Sequence, residues 1–241
     1  MNLDKFHQVL EDLTQPKESL GSIGEQKEKT LHRAIKAYLG ERLSHEINIG
    51  NYIADIARPE EIIEIQTHHL GKLKPKLEKF LPISHVWVVY PIIHQKRIIT
   101  ISREKGSISK PRKSSKKQTL ISAFLELSQI RSLLQHRHLH VKLLLLNVDE
   151  YRFDSSPGRR KQTPSDLIPT ALLEEVDFYS IEDYLQFLPH EIKSPFTSED
   201  IRSYFNTTTS ISQALLRTLV ACDIFKRVGK KDRYYQYIIL S

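Results

Sequence analysis

The run Val86–Ile93, VWVVYPII, constrains the fold of this chain more than any other stretch. It carries no charge and is rich in β-branched and aromatic side chains. A strand with one face in water alternates apolar and polar residues; an unbroken apolar run suits a central strand covered on both faces by helices. An α/β architecture follows, and the flanking pattern supplies its parts. Leu3, Phe6, Leu10 and Leu13 have helical spacing over residues 3–13, and Thr14–Gly24 reads as a loop. Leu31, Ile35, Tyr38 and Leu39 define one face of a helix over Glu25–Leu39, with Gly40 as its stop. HEINIGNYIADIA reads as two strands turning at Gly50-Asn51, and Glu61–Thr67 as a third. Gly71–Leu81 reads as a helix that tolerates Pro75 only if Pro75 falls in its first turn. Arg97–Ser102 adds a strand after the apolar run, so the order is α-β-β-β-α-β.

Residues 103–118, REKGSISKPRKSSKKQ, form a basic, Ser-rich loop with little to bury. A helix over Leu120–Leu134 and a strand over Val141–Val148 follow. Asp154–Pro169 has linker composition. The remainder reads as three helices, Ser180–Leu188, Ser198–Phe205 and Ser210–Asp223, then a hairpin over Ile224–Leu240 that turns at Gly229–Asp232. Ser180 with Asp183, and Ser198 with Asp200, suit helix N-termini. The boundaries expected are a first domain over 1–153, a linker over 154–170 and a second domain over 171–241.

At net charge +7 and pI 9.3 the chain favours a polyanionic partner, though excess charge held in solvated loops accounts for the same number. Cys222 stands alone, which excludes an internal disulfide and a cysteine-based zinc site. It lies in the apolar run LLRTLVACDIF and reads as a buried thiol, in keeping with a reducing, cytoplasmic compartment. The acidic start MNLDKFHQVLEDL lacks the apolar core of a signal peptide. No stretch reaches the roughly 20 apolar residues of a membrane span.

The chemistry concentrates in DIARPEEIIEIQ, Asp55–Gln66. Strand side chains alternate, so Glu64 and Gln66 share a face while Ile63 and Ile65 share the other. Asp55 lies on the neighbouring strand, and paired carboxylates beside a polar side chain suit a hard cation such as Mg²⁺. The same residues could instead be solvated strand positions. This D-x8-E-x-Q pattern, after a helix and a hairpin, resembles the PD-(D/E)XK nuclease superfamily over roughly Glu25–Pro91, with Gln66 where the motif most often has Lys. The C-terminal third resembles a winged helix, and the whole chain is similar to bacterial proteins that join these two parts.

The resemblance implies a restriction-endonuclease-like mixed sheet flanked by helices, followed by a winged-helix domain. It implies a deoxyribonuclease using Mg²⁺ or Mn²⁺, held by Asp55 and Glu64. Gln66 would position water or phosphate, with Glu28 on the first long helix as a further acid and Glu25 as its competitor. Nucleases of this fold commonly cut as homodimers. Lys72, Lys74 and Lys76 either replace the missing Lys charge or form a solvated basic face. The rival reading is a catalytically inactive nuclease fold that binds DNA or regulates.

DNA contacts are expected from Lys105, Lys110, Arg112, Lys113, Lys116 and Lys117 in the basic loop, and from Arg159, Arg160 and Lys161 in the linker. In the winged helix they are expected from Ser210, Ser212, Gln213 and Arg217 on the exposed side of the third helix. Lys226, Arg227, Lys230, Lys231 and Arg233 would arm the wing. The same unit could instead dock a protein partner. His32 reads as a packing or surface residue. His68 could reach phosphate, and His136, His138 and His140 either bind Zn²⁺ or are loop histidines.

Overall fold

The computed structural model describes residues 1–14, 29–40, 45–102, 106–154, 165–188 and 192–240. The chain begins with α1 (Leu3–Thr14) and α2 (Thr30–Leu39), then β1 (His45–Ile49), β2 (Tyr52–Arg58) and β3 (Glu61–Ile65). Gly50, at φ +60°, adopts the left-handed backbone that turns β1 into β2. A 3₁₀ turn over Leu70–Leu73 leads into α3 (Lys74–Phe80), whose late start places Pro75 in the first turn, where its missing N–H costs nothing. There follow β4 (His85–Ile101), β5 (Arg112–Lys113), α4 (Phe124–Leu127), β6 (Leu139–Phe153) and β7 (Ser165–Phe178). The C-terminal part contains α5 (Ser198–Tyr204), α6 (Thr209–Ala221), β8 (Phe225–Lys231) and β9 (Tyr234–Ile239).

One mixed sheet carries the order β1-β2-β3-β4-β6-β7, with β5 on the far half of β4. β3, β4 and β6 run parallel to one another, and the outer strands run antiparallel. The apolar run is therefore central, between β3 and β6, as its composition requires. Pro91 sits inside it without breaking a ladder. Val89 accepts from Gln66 N–H on the β3 side at 3.0 Å, so Pro91, two residues on, faces the same side, where β3 has ended.

Helices cover both faces. Phe6, Leu31, Ile35 and Tyr38 of α1 and α2 pack on Ile56, Ile63, Ile65, Val89 and Leu144. On the other face, Leu77 and Phe80 of α3 and Phe124 and Leu127 of α4 join Ile62, Val88 and Leu143. Leu215, Leu216 and Leu219 of α6 belong to this second core, so the C-terminal part is built against the sheet domain.

Several expected boundaries shift. The stretch expected as linker enters the sheet: β7 pairs with β6 from Ser165 to Phe178. Pro169 and the polar residues before it disguise the strand, and an edge position with a register shift accommodates the proline. The two strands expected on either side of His94–Lys96 form the single strand β4, with an irregularity between Ile93 and Gln95. The helix expected over 120–134 is a 3₁₀ turn (Leu120–Ala123) followed by one turn of α4. The helix expected over 180–188 is a 3₁₀ segment, Glu182–Phe187, and Asp183 in its first turn accepts from the N–H groups of Tyr179 and Ser180 just before it. The cap of α5 is Thr197, in a capping box with Asp200, in place of Ser198. The final hairpin turns at Asp232-Arg233, later than expected, with Asp232 at φ +53°.

Candidate functional site

The β2–β3 ladder runs through Arg58↔Glu61, Ala57↔Ile62 and Ile56↔Ile63, and stops there. β2 continues alongside β1, while β3 continues alongside β4 as far as Ile65↔Val89. Asp55 and Glu64 stand where the two strands part, and their side chains replace the lost ladder. Ile65 N–H donates to Asp55 Oδ2 at 2.8 Å, and Asp55 N–H donates to Glu64 Oε1 at 3.4 Å. Helices from opposite faces reach this fork. His32 of α2 places Nε2 3.3 Å from Asp55 Oδ2, and Lys76 of α3 places Nζ 2.5 Å from Glu64 Oε2.

The two carboxyls are driven apart in acidity. Burial, then the charge of Asp55, pushes Glu64 up to about 7 against the pull of Lys76. Glu64 is 1% exposed, so desolvation of its charge is close to complete. Burial also pushes Asp55 up, but the hydrogen bond and charge of His32, the Ile65 N–H and the charge of Lys76 outweigh it and hold Asp55 below the usual carboxylate range. One acid is thus a firm anion and the other an anion under strain. Paired carboxylates of this kind are the oxygen donors that Mg²⁺ or Mn²⁺ would require, and here their oxygens are engaged by Lys76, His32 and two N–H groups. Among the described residues no group of three or more His, Cys, Asp or Glu is arranged to hold a metal ion. Mg²⁺ needs only one or two carboxylates, with water and substrate oxygens completing its shell.

The other expected site residues divide. Gln66 follows Glu64 at the end of β3, but its Nε2 donates to the carbonyl of His68 at 2.5 Å. Glu28 and Glu25 lie outside the described residues, as do Lys105, Arg159, Arg160 and Lys161. Lys76 is a partner of Glu64 instead of part of a solvated face. His32 is an Asp55 partner instead of a packing or surface residue. Helical periodicity put His32 on the predicted helix before β1, but nothing in the spacing showed that it meets Asp55. Lys76 stood among three lysines with the same two expected roles, and its contact with Glu64, which the other two do not share, depends on how α3 packs on the sheet.

Lys110, Arg112, Lys113, Lys116 and Lys117 are exposed, with Arg112 and Lys113 on β5 opposite Ile98 and Arg97. Glu64 lies opposite Val88 of the same strand, so β5 stands roughly 30 Å further along β4 at about 3.3 Å per residue. Gln213 and Arg217 are exposed on α6, but Ser212 is fully buried and donates to Thr209 O at 3.0 Å. It therefore lies on the packed side of α6, not the exposed one. On the hairpin, Arg227 stacks 3.1 Å from the Tyr235 ring centre, with Lys230 at 5.8 Å, and Arg233 lies 5.1 Å from that of Tyr234. Lys226 and Lys231 are exposed beside them.

The histidines expected at a helix-to-strand turn meet one more, His85. His140 Nδ1 lies 2.9 Å from Tyr179 O, and its Nε2 lies 3.0 Å from His85 Nδ1; His138 Nδ1 lies 3.0 Å from Leu81 O. The rings of His85 and His140 are within 7° of parallel. They face one another nitrogen to nitrogen as a hydrogen-bonded pair, and His136 packs on His138.

No solved structure matches this chain. An "Uncharacterized protein" of Treponema pallidum (strain Nichols) is 33% identical over 150 residues; the match covers 61% of this chain and 59% of that protein. A family model matches residues 29–182, a span that holds β1 to β7 and with them His32, Asp55, Glu64 and Lys76. On that match, the chain belongs to the family described as Domain of unknown function (DUF8091).

Proposed function

We propose that this chain is a Mg²⁺- or Mn²⁺-dependent deoxyribonuclease of PD-(D/E)XK type, cytoplasmic, hydrolysing DNA phosphodiesters. The unit α5–α6–β8–β9 would serve as its DNA-binding winged helix. The observation that carries the reading is the fork itself: two carboxylates bridging parted strands, one held anionic and one raised to about 7, with an ammonium beside them. Asp55 and Glu64 would hold the cation. When bound, the ion polarises the phosphodiester and lowers the pKa of the attacking water.

The chain's own groups do the rest. His32 and the Ile65 N–H orient Asp55. Lys76 supplies the cationic charge that position 66 lacks, from a helix instead of the strand, and stabilises charge developing on the phosphoryl oxygens. The exposed cations of β5 and the terminal hairpin supply sequence-independent attraction for the DNA backbone.

Cleavage of supercoiled, linear and single-stranded DNA in Mg²⁺ tests the reading. Wild-type cleavage abolished by Asp55→Ala and by Glu64→Ala supports it, and undiminished cleavage by either variant overturns it. Cutting both strands would take two copies.

One observation favours a second reading, a catalytically silent fold that binds DNA or regulates. Gln66 spends its amide nitrogen on the His68 carbonyl, so the motif's third position offers no charge and little donor capacity. That reading predicts DNA affinity independent of Mg²⁺ and no product on any substrate. A complex that survives high salt would instead point to a protein partner on the winged helix.

A further inference from the structure

We infer that His68, His69 and Lys72, with Lys29 beside them, form a phosphate subsite that grips the nucleic-acid backbone next to the carboxylate pair. The inference rests on the nucleic-acid reading above and deepens it. The four basic residues come from two separate places in the chain: Lys29 is the N-cap residue of α2, and the others follow β3 closely.

The segment after β3 is tied down residue by residue. Gln66 Nε2 donates to His68 O at 2.5 Å, Leu70 N–H donates to Glu126 Oε2 at 2.8 Å, Gly71 N–H donates to Gln129 Oε1 at 3.1 Å, and Lys72 N–H donates to His69 O at 3.0 Å. A Cβ at Gly71 would lie 2.9 Å from Gln129 Oε1 and would push that side chain off its hydrogen bond to the Gly71 N–H. His69 is held at φ +58°, a left-handed conformation that a side chain rarely adopts.

The tether leaves both imidazoles exposed, with ring centres 4.9 Å apart. His68 Nδ1 meets Thr67 Oγ1 at 2.9 Å, which fixes the ring's orientation. Around His68 stand His69, Lys29, Lys72 and, from α4, Glu126; burial and the first three hold its pKa below the ordinary value. Glu126 is already engaged by Leu70 and Gln129. Two exposed imidazoles beside two lysines at a tethered turn present N–H donors and positive charge that an anion would complement, and a phosphodiester supplies one. The turn begins two residues beyond Glu64, at the end of β3 where the fork opens.

The test is fluorescence anisotropy of the full chain on a short fluorescein-labelled DNA duplex, in EDTA so that cleavage plays no part. Wild type is compared with the double variant His68→Ala/Lys72→Ala across a salt series. These exposed substitutions are expected to leave the melting temperature unchanged. The double variant is expected to bind roughly 10-fold more weakly, with a salt slope smaller by about 1 to 2, since each phosphate contact contributes about 0.9. Wild-type affinity is expected to rise as pH falls below the ordinary histidine value of 6.5, where His68 gains its proton, and the double variant to lose much of that rise. Unchanged affinity and slope in the double variant would overturn the subsite while leaving nuclease activity to stand or fall on Mg²⁺-dependent cleavage. Binding that needs His68 and Lys72, from a wild type that cleaves nothing, would retain the subsite and remove the nuclease.

Discussion

Glu64→Gln is expected to make the metal-free protein more stable at alkaline pH. The carboxyl is 1% exposed, and its pKa rises from an ordinary 4.5 to about 7. A raised folded-state pKa means the native state holds the proton more tightly than the unfolded chain does. The stability this provides is fully present below 4.5 and is lost as pH climbs through 7. At about 1.4 kcal/mol per pH unit, ionised Glu64 costs the fold roughly 3 kcal/mol once pH exceeds 7.

Gln is nearly isosteric with the protonated acid and carries no charge, so the variant escapes this cost. Asp55 moves the other way, and its contribution is lost only in acid, as pH falls through its lowered pKa. The two windows do not overlap. Urea unfolding in EDTA, followed by Trp87, the only tryptophan and a neighbour of Glu64's partner Val88, would report the difference. The variant's advantage should widen by about 2 kcal/mol between about pH 5 and pH 8. A gap that stays flat, or a variant less stable than wild type at pH 8, would show that Glu64 is not the strained anion described above.

Added Mg²⁺ should raise the melting temperature of the wild type at pH 8 and leave Glu64→Gln unmoved; equal shifts would place the ion elsewhere. Lys76→Met should lower cleavage by on the order of 100-fold with DNA affinity in EDTA unchanged, and cleavage at the wild-type rate would remove Lys76 from the chemistry. Leu216→Ala, in the core shared by α6 and the sheet, should cost about 2–5 kcal/mol and still give a single unfolding transition. Two separated transitions by calorimetry would show that the C-terminal part folds on its own. Arg227→Ala/Lys230→Ala should weaken DNA binding and flatten its salt dependence, measured by anisotropy, without changing the Mg²⁺-induced rise in melting temperature.

Local chemistry made the strands and turns of the first half legible. An uncharged run had to be central, Gly50-Asn51 had to turn, and Pro75 had to open a helix, because each depends on neighbours within a few residues. The pairing of Asp55 with Glu64 was legible for the same reason, since a hairpin brings them together whatever the rest of the chain does. β7 was not legible. Its proline and polar lead-in suit an edge strand only once β6 offers a partner, and β6 is a tertiary fact. Ser212 has the polarity of a surface residue, yet its hydroxyl is satisfied by Thr209 O, which freed it to face the core.

Sequence alone therefore determined an α/β protein with two carboxylates on neighbouring strands. Tertiary structure decided what surrounds them. His32 arrives from one face and Lys76 from the other, 23 and 12 positions along the chain from the acids they meet. Helix packing on both faces of the sheet sets those distances, and no spacing along the chain encodes them.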